Sequence, residues 1–320
     1  MTSNIEICYN DGVKKYRVNF TDFAINPSER CNLKCKVCQV GEPSNAEIDE
    51  PTANAAFRDI EHINNLGIVS GEVMMAPRAL TAINGALERN GTKYDRSSGY
   101  LNGTLYNGAA MAQLVDMVKR AQNGPESRSG WAVSFDEWHV EDALKQYGLD
   151  KYAETFYKLF THPIINGRII PSSFIFSEGR AENLTEAYGL PIFPPNPEMD
   201  IPHAHIDREN GIINASFMLM NCHGDAVTGG NYANHKKTKY GNVISDDGVA
   251  NILLHSDRVK RHNSYNEMAT AFNDIYGAEM LRRQKFASTK EFADARAKLL
   301  NDAANDLLNI GAINERKKTD

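Results

Sequence analysis

The chain has 320 residues, of which 42% are hydrophobic and 24% are charged, and its formal net charge is −6. This composition is ordinary for a globular protein, and the acidic balance argues against a general polyanion-binding protein. No stretch approaches the ~18 uninterrupted apolar residues of a membrane helix, and residues 1–18 contain no apolar signal region. We therefore expect a cytoplasmic protein without a membrane partner.

Short apolar runs rich in β-forming residues alternate with longer helical patterns along the chain, which predicts βα units around a parallel sheet. The predicted strands cover 14–25, 68–75, 98–108, 130–139, 167–182 and 211–225. The predicted helices cover 51–67, 77–91, 109–122, roughly 141–160, and a tail from about 262 to 311. Six such units predict an incomplete barrel or an open α/β sheet, with the functional residues at the carboxyl ends of the strands.

Three cysteines follow the first predicted strand with the spacing Cys-x3-Cys-x2-Cys, at Cys31, Cys35 and Cys38. Thiolates select zinc, copper(I) or iron–sulfur clusters. A structural zinc site usually needs four ligands, and the other two cysteines, Cys8 and Cys222, are predicted to pack singly as buried apolar residues. A histidine could complete a zinc site. Alternatively, a [4Fe–4S] cluster held by three cysteines leaves one iron open for a substrate or cofactor.

The segment "RCNLKCKVC" at 30–38 resembles the signature of the radical S-adenosylmethionine (radical SAM) enzymes. The similarity continues through the segments "SGEVMM", "YLNG", "VSFDEWH", "SEGRAE" and "NCHGDAVTGG…YGNVISDDGVANIL", and it covers about residues 16–256. The chain departs from the family pattern at Ser70 and Leu101, where the family has Gly and Thr. The resemblance implies a partial (β/α)6 TIM-like barrel over residues 1–256 and a helical C-terminal extension over 257–320.

The same resemblance implies roles for individual residues. Cys31, Cys35 and Cys38 would bind a single [4Fe–4S] cluster and serve as the catalytic metal ligands, with S-adenosylmethionine on the open iron. Reductive cleavage of that cofactor would yield a 5′-deoxyadenosyl radical that abstracts hydrogen from the substrate. The predicted cofactor contacts are Gly71 and Glu72 with the methionine amino group, Ser134 and Asp136 with the ribose, Val37 with adenine, Arg180 with the methionine carboxylate, and Asn102 and His139 at neighbouring strand ends.

The substrate is predicted to be a small molecule or a nucleic-acid base, which the enzyme would isomerise or otherwise modify. Hypermodified nucleobases of DNA are one example, and the basic run at 235–240 would suit a nucleotide. A peptide-modifying enzyme also fits the motif, although the cysteines of an auxiliary cluster domain are missing. A non-catalytic zinc-binding protein also fits the motif, as does a protein that binds S-adenosylmethionine without cleaving it. In the enzyme, a flavodoxin or ferredoxin would supply electrons.

A second metal-like pattern lies in "HAHID", which places His203, His205 and Asp207 on one face of an extended segment. Side chains two residues apart share a face in any strand. The pattern therefore fits a solvated strand as well as a metal site.

Overall fold

The structure is a computed structural model that describes residues 9–10, 13–38, 41–69, 71–122, 130–172, 175–177, 179–184, 190, 192–193, 201–228, 238–263 and 290–318. The strands are β1 (Tyr9–Asn10), β2 (Val13–Lys14), β3 (Arg17–Ile25), β4 (Ile60–Ile68), β5 (Lys93–Leu101), β6 (Gly130–Ser134), β7 (Ile169–Ile170), β8 (Ile175–Phe176), β9 (Ile192–Phe193), β10 (Ala204–Asp207), β11 (Ile212–Met220), β12 (Asp225–Val227) and β13 (Lys239–Asn242). The α-helices are α1 (Glu50–Phe57), α2 (Pro77–Asn90), α3 (Gly108–Arg120), α4 (Glu137–Tyr147), α5 (Leu149–Phe160), α6 (Val249–His255) and α7 (Lys290–Arg316). Two 3₁₀ helices span Val73–Met75 and Gly179–Asn183.

The central sheet contains six parallel strands in the order β11, β3, β4, β5, β6, β7. Three antiparallel strands extend it at the β11 side, because β10 and β12 both pair with β11 and β13 pairs with β12. The predicted α/β class, with a parallel sheet and a helix at the C-terminus, is confirmed. The last parallel strand, however, lies beside the first one rather than beside β7. Counting βα units predicts that a strand exists but not which edge of the sheet it joins.

The helices α1, α2 and α3 lie on one face of the sheet. From β3 to β6 each strand lies next to its predecessor, and one helix connects each pair in the order α1, α2, α3. Right-handed crossovers that step in one direction place their helices on the same face, as in a barrel wall. Phe20 and Phe23 of β3 are buried there, with ring centroids 5.2 Å apart, and the Phe23 ring centroid lies 5.6 Å from that of Phe57 in α1.

The predicted helix at 51–67 and the predicted strand at 68–75 were both misplaced. The helix α1 ends at Phe57, and residues 60–68 form β4. The apolar residues Ile60, Ile63 and Leu66 recur every three positions, which is a helical spacing, although all three are buried in a strand. Residues 73–75 form a 3₁₀ turn after the strand, not the strand itself.

Most of the remaining strands end earlier than predicted. β5 begins at Lys93 and ends at Leu101, and β6 ends at Ser134, so that α4 starts at Glu137 instead of about 141. Within the predicted strand 167–182 the described residues form only β7, β8 and a 3₁₀ turn. The predicted tail helix is observed as α7, and residues 264–289 lie outside the described part of the chain.

The long helix α7 packs along α5 through Leu300, Ala304 and Leu307, which are all buried. Among the described residues, no helix combines the length and the apolar character needed to cross a bilayer.

Candidate functional site

The three-cysteine loop leaves the carboxyl end of β3 and returns to α1. Its two arms are joined to each other, since Ser28 Oγ donates to the Ala46 carbonyl at 3.0 Å and Arg30 Nη1 pairs with Glu47 Oε1 at 2.7 Å. The carboxylate of Asp49 caps α1 by accepting from the Thr52 amide at 2.9 Å. The loop is therefore a closed structure anchored at both ends, and it can hold a prosthetic group at the edge of the sheet.

The thiols of this loop are shielded from solvent to different degrees. Cys35 is buried, whereas Cys31 and Cys38 are half-buried. Burial raises the pKa of the Cys31 thiol to about 12, and the charges of Glu72, Cys38 and Cys35 act in the same direction, while a hydrogen bond from the Leu33 amide opposes them. Such a thiol ionises when a metal cation supplies compensating positive charge.

The turn after β4 lies directly against the cysteine loop. The Glu72 amide donates to the Arg30 carbonyl at 2.7 Å, and the Gly71 amide donates to the Ser28 carbonyl at 3.4 Å. A Cβ atom on Gly71 would lie 2.5 Å from the Arg30 carbonyl oxygen and 2.9 Å from Cys31 Cβ. Glycine is required at this position because the two backbones approach so closely.

The carboxylate of Glu72 is buried beside the cysteine loop and joins two strand ends. It accepts from the Met74 amide at 2.8 Å and from the Asn102 amide at 2.7 Å, through different oxygens. Burial raises the pKa of Glu72 to about 7, against the effect of these two hydrogen bonds. The side chain is therefore fixed in position and close to its ionisation point at neutral pH.

Asn102 connects the end of β5 to the cysteine loop. Its Nδ2 donates to Asn32 Oδ1 at 2.7 Å and lies 4.0 Å from Cys31 Sγ, while its Oδ1 accepts from Thr104. Asn32 in turn donates to Thr104 Oγ1 and to the Tyr147 hydroxyl. Asn32 was not among the predicted site residues, although its place directly after Cys31 in the motif was a usable signal.

Asp136 is almost completely buried and begins α4. Its Oδ1 accepts from the amides of Trp138 and His139 and lies 2.8 Å from His139 Nδ1, while its Oδ2 accepts from Ser172 Oγ at 2.7 Å. Burial alone would raise the pKa of Asp136, but the hydrogen bonds from His139 and Ser172 lower it to about 2. The carboxylate is thus committed to protein donors, and the predicted contact with a ribose stays a prediction.

His139 connects Asp136 to the cysteine loop. Burial acts to lower its pKa, but the hydrogen bond with Asp136 and the interaction with the Cys35 thiol raise the pKa well above the usual value. The ring therefore lies between a carboxylate and a motif thiol. Sequence reasoning placed His139 at this edge but did not predict Ser172 as the second anchor of Asp136.

Arg180 braces the far arm of the cysteine loop. Its Nε donates to the Cys35 carbonyl at 2.9 Å, and its amide donates to the Cys38 carbonyl at 3.0 Å. Its Nη1 is buried without a hydrogen-bond partner among the described residues, where Glu42 Oε1 lies 4.0 Å away. A buried guanidinium nitrogen without a hydrogen bond is costly unless a ligand supplies an acceptor.

The remaining predicted residues are Val37, Ser134, Ser70 and the "HAHID" segment. Val37 is half-buried against the core next to the last cysteine, and Ser134 is the final residue of β6. Ser70 lies outside the described residues. The "HAHID" residues lie on β10 and just before it, where Asp207 accepts from Glu209 and Asn210 in a local turn. In the part of the chain that is described, these residues do not gather their donor atoms within 4.8 Å of one another.

No protein-family model and no curated protein matches the chain. Among solved structures it is similar to Streptococcus suis SuiB bound to S-adenosylmethionine, with a TM-score of 0.43, 12% identity, and coverage of 79% of this chain and 69% of that one. For SuiB bound to its precursor peptide SuiA, the TM-score is 0.42 and the identity 11%, with coverage of 78% of this chain and 66% of that one. For native anSMEcpe with bound AdoMet and the Cp18Cys peptide, the TM-score is 0.41 and the identity 14%, with coverage of 77% of this chain and 82% of that one. These similarities are low, and the site is defined by this chain's own residues.

Proposed function

We propose that this chain is a radical SAM enzyme in which Cys31, Cys35 and Cys38 hold a [4Fe–4S] cluster and S-adenosylmethionine occupies the open iron. The observation that carries the proposal is the arrangement of the three thiols in an anchored loop at the carboxyl end of the first long parallel strand. Four polar side chains surround that loop, namely Glu72, Asn102, His139 and Arg180.

The spacing of the thiols favours a cluster over a single zinc ion. Ligand sulfurs of one tetrahedral zinc lie about 3.8 Å apart, given a Zn–S bond of ~2.3 Å. Within the described ranges, the motif thiols do not form a set of three donors that all lie within 4.8 Å of one another. A cubane cluster bonds each thiolate to a different iron, so it needs a wider set of ligands.

The residues around the loop also suit the amino-acid part of S-adenosylmethionine. The Nη1 of Arg180, which makes no hydrogen bond among the described residues and lies 4.0 Å from Glu42 Oε1, offers a donor to a carboxylate, and such charge-assisted bonds are the strong ones. Each oxygen of Glu72 accepts one amide and keeps a lone pair for an ammonium group. Together, Arg180 and Glu72 match the two charged groups of the methionine portion.

When bound, the reduced cluster would supply an electron that cleaves S-adenosylmethionine and generates a radical able to abstract hydrogen from a substrate. The chain's own residues would bind the cofactor and orient it against the cysteine loop. Arg180 would hold the loop and the cofactor carboxylate, Glu72 would hold the ammonium, and His139 would interact with the Cys35 thiolate while Asp136 fixes its ring. A flavodoxin or ferredoxin is the proposed electron donor.

The proposed substrate is a small molecule or a nucleobase, with a peptide as the second candidate. The basic run at 235–240 lies partly outside the described residues. Of its lysines, Lys239 pairs with Asp225 at 2.6 Å and is thus engaged within the protein. This pairing weakens the run as a nucleic-acid contact and leaves a free nucleotide or other small molecule as the better candidate.

The test is anaerobic reconstitution with iron and sulfide, followed by dithionite, S-adenosylmethionine and an assay for 5′-deoxyadenosine. We expect a brown protein with about four irons per chain and formation of 5′-deoxyadenosine. Cys35→Ala should abolish both, whereas Cys8→Ala, outside the motif, should retain both. A colourless protein that takes up zinc instead of iron would contradict the proposal, as would cofactor cleavage by Cys35→Ala.

A further inference from the structure

A second group of metal-ligating side chains lies outside the three-cysteine motif. The carboxylate of Glu29, the thiol of Cys222 and the imidazole of His223 place one ligand atom each within 4.8 Å of one another. In the described part of the chain, they form the one group of three or more such donors that meets this distance. Glu29 Oε1 and His223 Nε2 are 3.5 Å apart.

The sheet topology brings these residues together from distant parts of the sequence. β3 and β11 are parallel neighbours whose last residues, Ile25 and Met220, are paired, and the Asn26 amide donates to the Met220 carbonyl at 2.8 Å. Glu29 follows β3 and Cys222 follows β11, so both emerge at the same edge of the sheet. The sequence predicted Cys222 as a singly packed buried residue; it is buried, but its thiol faces two further metal ligands.

Local hydrogen bonds hold two parts of the group in place. Asn221 Oδ1 accepts from the amides of His223 and Asp225, which fixes the turn that carries Cys222 and His223. Glu29 Oε2 accepts from Ser44 Oγ at 2.6 Å, which leaves Oε1 directed toward His223. The ligands are therefore oriented by the protein before any ion binds, as is common around metal sites.

The charge around Cys222 favours a cation. The carboxylate of Glu29 lies within the group itself, and its negative charge stabilises a dication bound beside it.

We propose that Glu29, Cys222 and His223 form a binding site for one divalent transition-metal ion of the zinc type, distinct from the three cysteines of the motif. The mixed sulfur, nitrogen and oxygen donors are those that zinc accepts. Ligand atoms around one tetrahedral zinc lie about 3.3–3.8 Å apart, and the Glu29–His223 distance of 3.5 Å already falls in that range.

Three protein ligands would leave one coordination position for water or an anionic ligand, and the His223 side chain is itself 54% exposed. On binding, the metal forms a bond to Cys222 Sγ and the thiol proton passes to solvent, with no redox change. The ion would cross-link the segment that begins the three-cysteine loop to the turn after β11. This site would exist whether or not the loop assembles a cluster.

The experiment uses the full chain with Cys31, Cys35 and Cys38 all changed to Ala, so that Cys222 is the one remaining thiol apart from Cys8. Cobalt(II) serves as the spectroscopic probe and zinc as the competitor. We expect one equivalent of cobalt with a thiolate-to-cobalt charge-transfer band that zinc abolishes. Adding Cys222→Ala should remove the band, and His223→Ala or Glu29→Gln should weaken binding at least about tenfold, since even outer-shell changes cost about 10–100-fold.

The matched control is His203→Ala, which removes another exposed histidine and should leave the band and the affinity unchanged. Absence of the band in a variant with native circular dichroism would overturn the proposal, as would a band that survives Cys222→Ala. If the triple variant does not fold, the intact chain is used, and metal analysis compares it with His223→Ala. Loss of one bound zinc per chain supports the site, and equal zinc in the two proteins overturns it.

Discussion

Two regions of the molecule each depend on a glycine where backbones nearly touch, yet their surroundings differ. A Cβ on Gly71 would lie 2.5 Å from the Arg30 carbonyl oxygen at the cysteine loop, and one on Gly311 would lie 2.5 Å from the Ala153 carbonyl oxygen between α5 and α7. Buried polar groups such as Glu72 surround the first contact, whereas apolar side chains dominate the second. The close approach at Gly71 is therefore expected to position the thiols, whereas the equally close approach at Gly311 is expected to stabilise the packing of α7 on α5.

The strongest test of this contrast is Gly71→Ala. The added methyl group would push the Gly71 turn away from Cys31 and disturb the thiol arrangement. We expect reconstituted iron to fall to a small fraction of the wild-type value, together with a stability loss of about 1–3 kcal/mol from overpacking. Iron analysis after reconstitution and urea denaturation measure the two effects.

Gly108→Ala is the matched control, because a Cβ at Gly108 meets nothing within 4 Å. Iron uptake should be unchanged in this variant. Normal iron uptake by Gly71→Ala would show that the close approach does not position the cysteines.

The second test compares two Asp–His pairs, one in the candidate site and one outside it. Asp136→Asn weakens several hydrogen bonds to a buried carboxylate, including those of His139 and Ser172, and we expect a loss of about 3 kcal/mol. Asp95→Asn changes the pair with His62, which is 3.0 Å apart and partly exposed, and should cost about 0–1 kcal/mol. Urea denaturation at pH 7 gives both values, and equal losses would contradict the assignment of a special buried role to Asp136.

The amino-acid sequence predicts local features of the site better than its long-range contacts. The position of Cys31 after the predicted strand 14–25 follows from local pattern and spacing. Gly71 was predicted as a site residue through the family resemblance, within a strand that was misplaced, and it contacts Cys31 in the structure. The approach of Cys222 to Glu29 depends on the pairing of β11 with β3, which no local pattern in a single sequence reveals. Similarly, apolar residues recur every three positions in β4, which is the spacing of a helix. The segment is a strand because it packs within the sheet, a long-range contact that the local sequence does not reveal.

The third test disturbs the apolar contact between α5 and α7 and leaves the cysteine loop intact. Gly311→Ala would place a methyl group against Ala153 and Tyr157, at a cost of about 1–3 kcal/mol, while better helix propensity returns about 1 kcal/mol. We expect a net loss of about 0–2 kcal/mol, faster hydrogen exchange in α7, and full iron uptake. Loss of iron in this variant would show that α7 supports the cysteine loop as well as the fold, which the contact of Arg296 with Glu137 makes worth measuring.

The smallest expected effect concerns the anchor where the cysteine loop enters α1. Asp49→Ala removes the N-cap and should cost about 1 kcal/mol at pH 7 with little change in iron uptake.

Hydrogen bonds from Thr52 hold the pKa of Asp49 below its usual value. A depressed carboxyl pKa stabilises the fold above the unfolded-state pKa of about 3.9, and that stabilisation is lost as the pH falls through the folded-state pKa. The difference in unfolding free energy between wild type and Asp49→Ala should thus be largest near neutral pH and should shrink in acid. Urea denaturation at neutral and at acidic pH measures it. A difference that stays constant into acid would mean that the cap acts through packing of the loop rather than through the charged carboxylate.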